Sequence, residues 1–245
     1  MKSGIAFGNI FMKDMRNYYL KPPNISWGII FPLAWTLMFF LKTPGNVNIE
    51  AVLPGVIAMS ILFGTTSMLS VTITFERSSR SFERLLLAPI ELSQLMLAKT
   101  SGAIVFGIIN AFVPIIMAGF LMDLSPINWG TMLLGIVLIA ITSTFLGLFI
   151  SVSANQVFEA QTFSNFFRFP MVFLCGLFIP VGDLPLILQP LSYIAPLTYG
   201  VDVLKFAITG HNFILTPLLN ILVLAGFTIF LFAISIRNIK VKWIY

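Results

Sequence analysis

The side chains able to do chemistry are few in this chain, and most stand alone. His211 is the only histidine and Cys175 the only cysteine. Far apart in sequence, they suggest neither a His/Cys metal cluster nor a Cys–His nucleophile. A lone loop histidine is far more often bland than catalytic. His211 with Asp202, and Glu159 with Arg168, are the pairs a lipid-modifying enzyme would have to use, and neither shows a spacing signature. No G-x-x-x-x-G-K-S/T phosphate loop occurs, so if ATP drives this protein another chain must bind it. One cysteine cannot close an internal disulfide, which leaves the redox compartment open.

The most informative polar segment is the internal stretch FERSSRSFERLLLAPIELSQLMLAK, from Phe75 to Lys99. Glu76, Arg77, Arg80, Glu83 and Arg84 precede the apolar run Leu85–Leu87, and Pro89 then stops that helix. Charges on one side and leucines on the other allow docking into a groove of a partner. The bland alternative is a solvated linker with local ion pairs such as Glu76–Arg80. Both readings stand at this level. A second pattern is polar but uncharged. Ser60, Gly64, Ser67, Val71 and Thr74 follow at steps of 4, 3, 4 and 3, so they share a helix face. Small and hydroxyl residues let helices approach closely in lipid, and that packing reading is favoured. The other reading makes Ser60, Ser67, Thr74 and Asn110 the lining of a substrate path. Thr142, Ser143, Thr144, Gly147 and Ser151 form a similar small-residue set.

The elements that must position these residues follow from composition. Of 245 residues, 58% are hydrophobic and 9% charged, where a soluble domain carries about 25% charged residues. Such a chain cannot cover its apolar surface in water, which excludes a soluble enzyme, a disordered chain and a disulfide scaffold. About 20 apolar residues cross a bilayer as a helix. Six stretches qualify: Ile25–Leu41, Val52–Phe75, Thr100–Met122, Trp129–Val152, Phe163–Val181 and Ile214–Ile236. Six spans put both termini on one side, and that side then holds twelve basic residues against two, Lys42 and Lys205. By the positive-inside rule both termini and the charged loop face the cytoplasm. The net charge of +5 is scattered rather than gathered on a patch, so nucleic acid is not an expected partner.

Three further features complete the plan. Phe7, Phe11, Met15 and Tyr18 fall on one helical face and Asn9, Lys13, Arg16 and Asn17 on another, the pattern of a helix lying on the inner membrane surface. Pro22 and Pro23 end it. No cleavable leader precedes the first span. Between Cys175 and Gly210 the apolar runs are broken by Pro180, Pro185, Pro190 and Pro196. They suit short helices that dip into the outer leaflet and return, with Tyr193 and Tyr199 at the interface and Asp183, Asp202 and Lys205 near water. No Asp, Glu or Lys is expected inside the spans, which disfavours an ion-coupled carrier. Arg168 is expected to snorkel to the inner surface. The expected fold is therefore an all-α integral membrane protein forming one domain over residues 1–245. Within it lie an interfacial helix in 1–24, a cytoplasmic loop in 76–98 and a proline-broken outer segment in 182–212.

In this order of elements the chain resembles the permease subunit of the second class of ABC exporters, the drug and lipo-oligosaccharide exporter type. Two stretches carry the resemblance: the loop with Glu83, Leu85–Leu87, Pro89 and Lys99, and Gly176–Phe178–Pro180 through Pro185, Pro190, Ala195–Tyr199 and Asp202. Many members have Gly-Thr before the Glu, where this chain has Ser81–Phe82. The resemblance implies a half-transporter: two permeases, as a homodimer or heterodimer, with two cytoplasmic ATP-binding-cassette subunits that hold ATP and Mg. This chain itself would need no cofactor or metal. Glu76, Arg77, Arg80, Glu83, Arg84, Leu87 and Pro89 would form the coupling interface. Pro180, Pro185, Pro196 and Tyr199 would belong to the outer cap. The weakly hydroxylated spans suit a hydrophobic or amphipathic cargo: a drug, a lipid or a lipid-linked saccharide. Two other readings compete: a membrane-embedded lipid-modifying enzyme, and an ATPase-linked sensor or assembly module that moves nothing.

Overall fold

The computed structural model describes residues 2–21, 49–86, 91–120, 122–211 and 214–244, and the isolated positions 30, 33, 34 and 37. Most of the expected first span, Pro22, Pro23, Lys42, Leu87 and Pro89 lie outside the described residues. Among those described, every regular element is helical, as a chain immersed in hydrocarbon requires when each peptide group must find its partner within its own segment.

Helix α1 (Lys2–Asp14) widens into a last loose turn, Met15–Tyr19. Then come α2 (Ile49–Ser78), α3 (Ser81–Leu86), α4 (Leu92–Gly119), α5 (Trp129–Ser153) and α6 (Val157–Leu174). A short turn at Val181–Asp183 leads to α7 (Gln189–Ile194), α8 (Pro196–Thr209) and α9 (Pro217–Ile239), which continues through Lys240–Ile244. Local signals set several ends. The Asn128 side chain accepts from the Thr131 amide at 3.2 Å and starts α5. Proline opens α8 and α9, where its missing N–H costs nothing. Gly210, at φ +74°, closes α8 in the left-handed conformation that glycine adopts freely.

Four of these helices, 49–78, 92–119, 129–153 and 217–243, are long and apolar enough to cross a membrane. The expected fifth span, Phe163–Val181, falls only in part on the 18-residue α6, which ends at Leu174, carries Glu159, Gln161, Ser164, Asn165 and Arg168 among its phenylalanines, and is not one of these four. At the centre of the bundle lies α2, packed against α4, α5, α6 and α8. Glycines on the facing helices make this possible. A Cβ on Gly147 of α5 would lie 2.6 Å from the Thr66 carbonyl oxygen of α2, so the two backbones nearly touch. The Thr66 hydroxyl seals this approach by donating to the Ser143 carbonyl at 3.1 Å.

Several expectations about charge are corrected. Because α2 runs on to Ser78 and α4 starts at Leu92, Glu76 and Lys99 sit on helices rather than in a loop, and both are buried. Asp202, expected near water, is buried too, and Arg168 does not snorkel but turns into the bundle. The face that α1 turns to the bundle carries Ile10, Asp14, Met15 and Tyr19, while Phe7 and Met12 stay exposed. Glu76, Lys99 and Asp202 find buried hydrogen-bond or charge partners that outweigh the pull of water.

Candidate functional site

At one end of the bundle three helix ends meet over a buried ring of charge. Lys13 and Asp14 come from the end of α1, Glu76 from the end of α2, and Lys99 from the first turns of α4. The Lys13 ammonium lies 2.7 Å from Glu76 Oε1 and 3.1 Å from Asp14 Oδ1. Lys99 Nζ donates to Asp14 Oδ2 at 3.0 Å and to Oδ1 at 3.3 Å, and it also pairs with Glu76 Oε2. Each carboxylate thus touches both ammonium groups, and the ring is neutral. Asp14, Glu76 and Lys99 are at most 1% exposed, whereas Lys13 keeps 37% of its side chain in contact with solvent. Burial alone would lower the Lys13 pKa. The Glu76 hydrogen bond and the nearby Asp14 and Glu76 charges outweigh it and hold the amine above its ordinary value. Burial also pushes the neighbouring Tyr18 hydroxyl up to about 12, with the Glu76 charge adding to the effect.

Apolar packing completes the joint. Tyr19 is fully buried, with its ring 5.8 Å from Phe106 of α4. A Cβ on Gly102 would lie 2.9 Å from the Tyr19 ring, so glycine there admits the aromatic side chain. The end of α1 is therefore clamped to both helices that flank the charged loop. Sequence reading singled out Glu76 but missed its partners. They are Lys13 and Lys99, 63 and 23 positions away, beyond any i,i+4 pattern.

The loop itself turns at Arg80, whose φ of +56° is the left-handed conformation that non-glycine residues seldom adopt. Ser79 and Ser81 hydroxyls both donate to the Glu76 carbonyl, each at 3.1 Å. They satisfy the last turn of α2 and launch α3. Phe82 is buried edge-on against Trp243, with centroids 5.1 Å apart. The Arg77 guanidinium lies 5.0 Å over the same indole and donates to the Ala154 carbonyl at 3.3 Å. Thus Phe82 and Arg77 anchor the turn to the C-terminal segment. Arg80, Glu83 and Arg84 remain exposed. Of the residues expected at a coupling interface, these three present themselves outward, Glu76 and Arg77 are used inside the chain, and Leu87 and Pro89 lie outside the described residues. The expected Glu76–Arg80 ion pair gives way to the ring.

The other expected residues separate into two places. Ser60, Ser67, Thr74 and Asn110 are all buried within the bundle. Thr74 donates to the Ser70 carbonyl at 2.8 Å, and Ser70 and Ser164 hydroxyls meet at 2.7 Å between α2 and α6. Gly64 faces the Asn110 amide. Thr74 thus bonds within its own helix, and the Ser70–Ser164 pair joins α2 to α6. At the opposite end, Pro180 opens the Val181–Asp183 turn, the Pro185 carbonyl accepts from Leu188 at 2.8 Å, and Pro196 starts α8. Tyr199 donates to the Tyr193 carbonyl at 2.7 Å. Asp202 accepts from the Ile214 and Leu215 amides at 3.2 and 3.1 Å and from Asn220 at 2.7 Å. It thereby ties α8 to the start of α9. His211 is exposed, and Glu159 accepts from the Asn155 amide at 2.8 Å. Asp202 and Glu159 thus serve local structure. No group of three metal-ligating side chains occurs among the described residues.

Comparison with known proteins agrees with this architecture. Residues 6–208 match the family described as ABC-2 type transporter. The chain is 22% identical over 216 residues to the inner membrane transport permease YadH of Escherichia coli K12, covering 85% of this chain and 84% of that protein. It is 24% identical over 156 residues to the probable multidrug ABC transporter permease YbhR of the same organism, covering 63% and 42%. It is also 25% identical over 205 residues to the putative transport permease ycf38 of Pyropia yezoensis, covering 78% and 70%.

Proposed function

The chain belongs to the ABC-2 type transporter family as a transport permease, and from that premise we propose that it is the membrane-spanning half of an ATP-driven exporter. It forms one domain of six spans, residues 25–41 being the first and α6 the fifth, with both termini in the cytoplasm. ATP and Mg are held by a separate cytoplasmic ATPase, since this chain has no phosphate loop. Two permease copies pair, and the cargo passes between them. That cargo is hydrophobic or amphipathic. The multidrug description of one relative and the scarcity of polar groups in the spans support this class.

The observation that carries the proposal is the exposed turn Arg80–Arg84, backed by a rigid joint. Glu83 and Arg84 point outward on α3, while the helices on either side are locked to α1 through the Lys13–Asp14–Glu76–Lys99 ring. A push on α3 therefore moves the ends of α2 and α4 and the interfacial helix together, rather than bending a loose loop. The outer segment, tied by Asp202 and capped by Pro180, Pro185, Pro196 and Tyr199, closes the far end of the path.

Capture of the partner tests this. The tagged chain is purified in mild detergent from its own membranes, beside Glu83→Lys, and the eluate is assayed for ATP hydrolysis. The expected result is an ATPase that co-elutes with the wild type and is lost with Glu83→Lys. Absence of any ATPase across several detergents would overturn the proposal.

A further inference from the structure

Arg168 is a cation buried in the bundle with no anion of its own chain beside it. It lies in α6, five residues into the stretch Phe163–Val181 that is expected to cross the membrane. Its side chain is 3% exposed. All nine Asp and Glu residues of the chain lie among the described residues, and the ion pairs formed there all belong to the ring of Lys13, Asp14, Glu76 and Lys99. The guanidinium instead lies 4.3 Å over the Phe63 ring of α2. Its Nε donates to the Ser164 carbonyl at 3.3 Å, and its Nη2 donates to Asn165 Oδ1. Both acceptors belong to its own helix and neither carries charge.

Arginine stays protonated, so burial cannot be relieved by losing the charge. An ionisable group buried in such a stretch marks a functional site whose partner should be named. The placement on α6 names it. Ala160, Ser164, Arg168 and Val172 form the buried stripe toward α2, while Phe166, Phe169 and Phe173 are exposed on the open side. Asn165 stands half-buried between the two faces. The guanidinium is thus bonded to a carboxamide that stands between the buried stripe and the phenylalanine face. Phe169 packs edge-on against Phe63 at 5.9 Å, which extends the aromatic surface from the ring that holds the cation. A ligand oxygen that displaces the Asn165 carbonyl would take over the Nη2 donor, and the guanidinium fork is the donor arginine offers to carboxylates and phosphates.

We infer that Arg168 is the anion-recognising residue of the path and that the transported amphiphile carries an anionic oxygen group, a carboxylate or a phosphate, on an apolar body. The inference rests on the transport reading above and gives its cargo a charge. Phe63 and Phe169 receive the apolar part next to the head, and Asn165 covers the cation when no ligand is present.

The test is binding to the full chain in phosphatidylcholine nanodiscs, with no ATPase present. Three fluorescent probes are compared over empty discs: dansyl-labelled undecanoic acid in its ionised form, its methyl ester, and the corresponding undecyl phosphate. The wild type is expected to bind at least one of the two anions ten-fold or more tighter than the ester, and the stronger anion identifies the head group. Arg168→Gln is expected to bring that ratio to about one, and Arg168→Lys to retain part of it. Equal binding of acid, phosphate and ester by the wild type overturns the inference. So does binding of none of them, or an unchanged ratio in Arg168→Gln. The wild-type comparison stands even if the glutamine variant fails to fold, which its elution profile and helical circular dichroism report. A negative result leaves ATPase capture untouched, so the two readings fail separately.

Discussion

Replacing Lys99 by methionine removes one cation from a ring in which each carboxylate touches two ammonium groups. Methionine matches the length of the apolar stem, so the change is chiefly one of charge. Lys99 is 0% exposed and its partners Asp14 and Glu76 are 1% exposed. The variant therefore keeps two buried carboxylates served by Lys13 alone, and Lys13 is itself 37% exposed. Breaking a buried pair by removing one partner costs about 3–5 kcal/mol, whereas removing both partners together is often close to neutral. For a chain of this size that cost lowers Tm by roughly 6–20 °C. Lys99→Met is expected to show such a fall by thermal unfolding in detergent, and the double variant Lys99→Met/Asp14→Asn to recover more than half of it. The recovery separates charge imbalance from lost packing, since both variants lack the lysine stem. A single-variant cost below about 1 kcal/mol, or a double variant whose cost is the sum of the two singles, would refute the claim that the ring joins α1 to α2 and α4. The same variant should release α1, seen as faster amide exchange over residues 5–19, ahead of global unfolding.

Glu83→Lys changes an exposed side chain, so its stability should stay within about 0.5 kcal/mol of wild type while ATPase capture is lost. A large stability loss would mean that Glu83 is structural. Gly147→Val forces a side chain into the Thr66 carbonyl, 2.6 Å from the new Cβ. It should cost about 1–3 kcal/mol or more in thermal unfolding, because a backbone atom cannot swing away, and an unchanged Tm would disprove the close α2–α5 approach. Asp202→Ala strands the Ile214 and Leu215 amides and the Asn220 side chain. It should destabilise by at least ~2 kcal/mol and open the outer segment to limited proteolysis near residues 210–216. A protease map identical to wild type would count against the tie between α8 and α9.

Much of the architecture was legible in residue type and order. Long uncharged runs interrupted by basic clusters can only be membrane helices, because an unpaired peptide group is costly in hydrocarbon. The spans Val52–Phe75, Thr100–Met122, Trp129–Val152 and Ile214–Ile236 accordingly appear as α2, α4, α5 and α9, longer at some ends than hydropathy alone would draw them. Helices extend past the apolar run when charged residues at their ends find partners, and Glu76 and Lys99 do. The spacing of Ser60, Gly64 and Ser67 announced a close-packed face, and α2 is the most enclosed helix among the candidate spans. The charges of Glu76–Arg84 marked a segment outside the lipid, but the left-handed turn at Arg80 was not legible in them.

What composition and periodicity determine is therefore the class of molecule: a polytopic helical membrane protein with a charged loop beside its second span and a proline-broken segment before its last. Those are one-dimensional properties, set by which residues tolerate lipid and where the chain must turn. Which charges meet is decided only by the tertiary structure. Asp14 joins Lys99, Arg168 turns inward to Phe63, and Asp202 caps the start of α9 because folding brings distant helix ends within hydrogen-bond reach. At such ranges in a medium of low dielectric, a partner acts far more strongly than water at the surface. No local window of sequence contains both halves of those pairs.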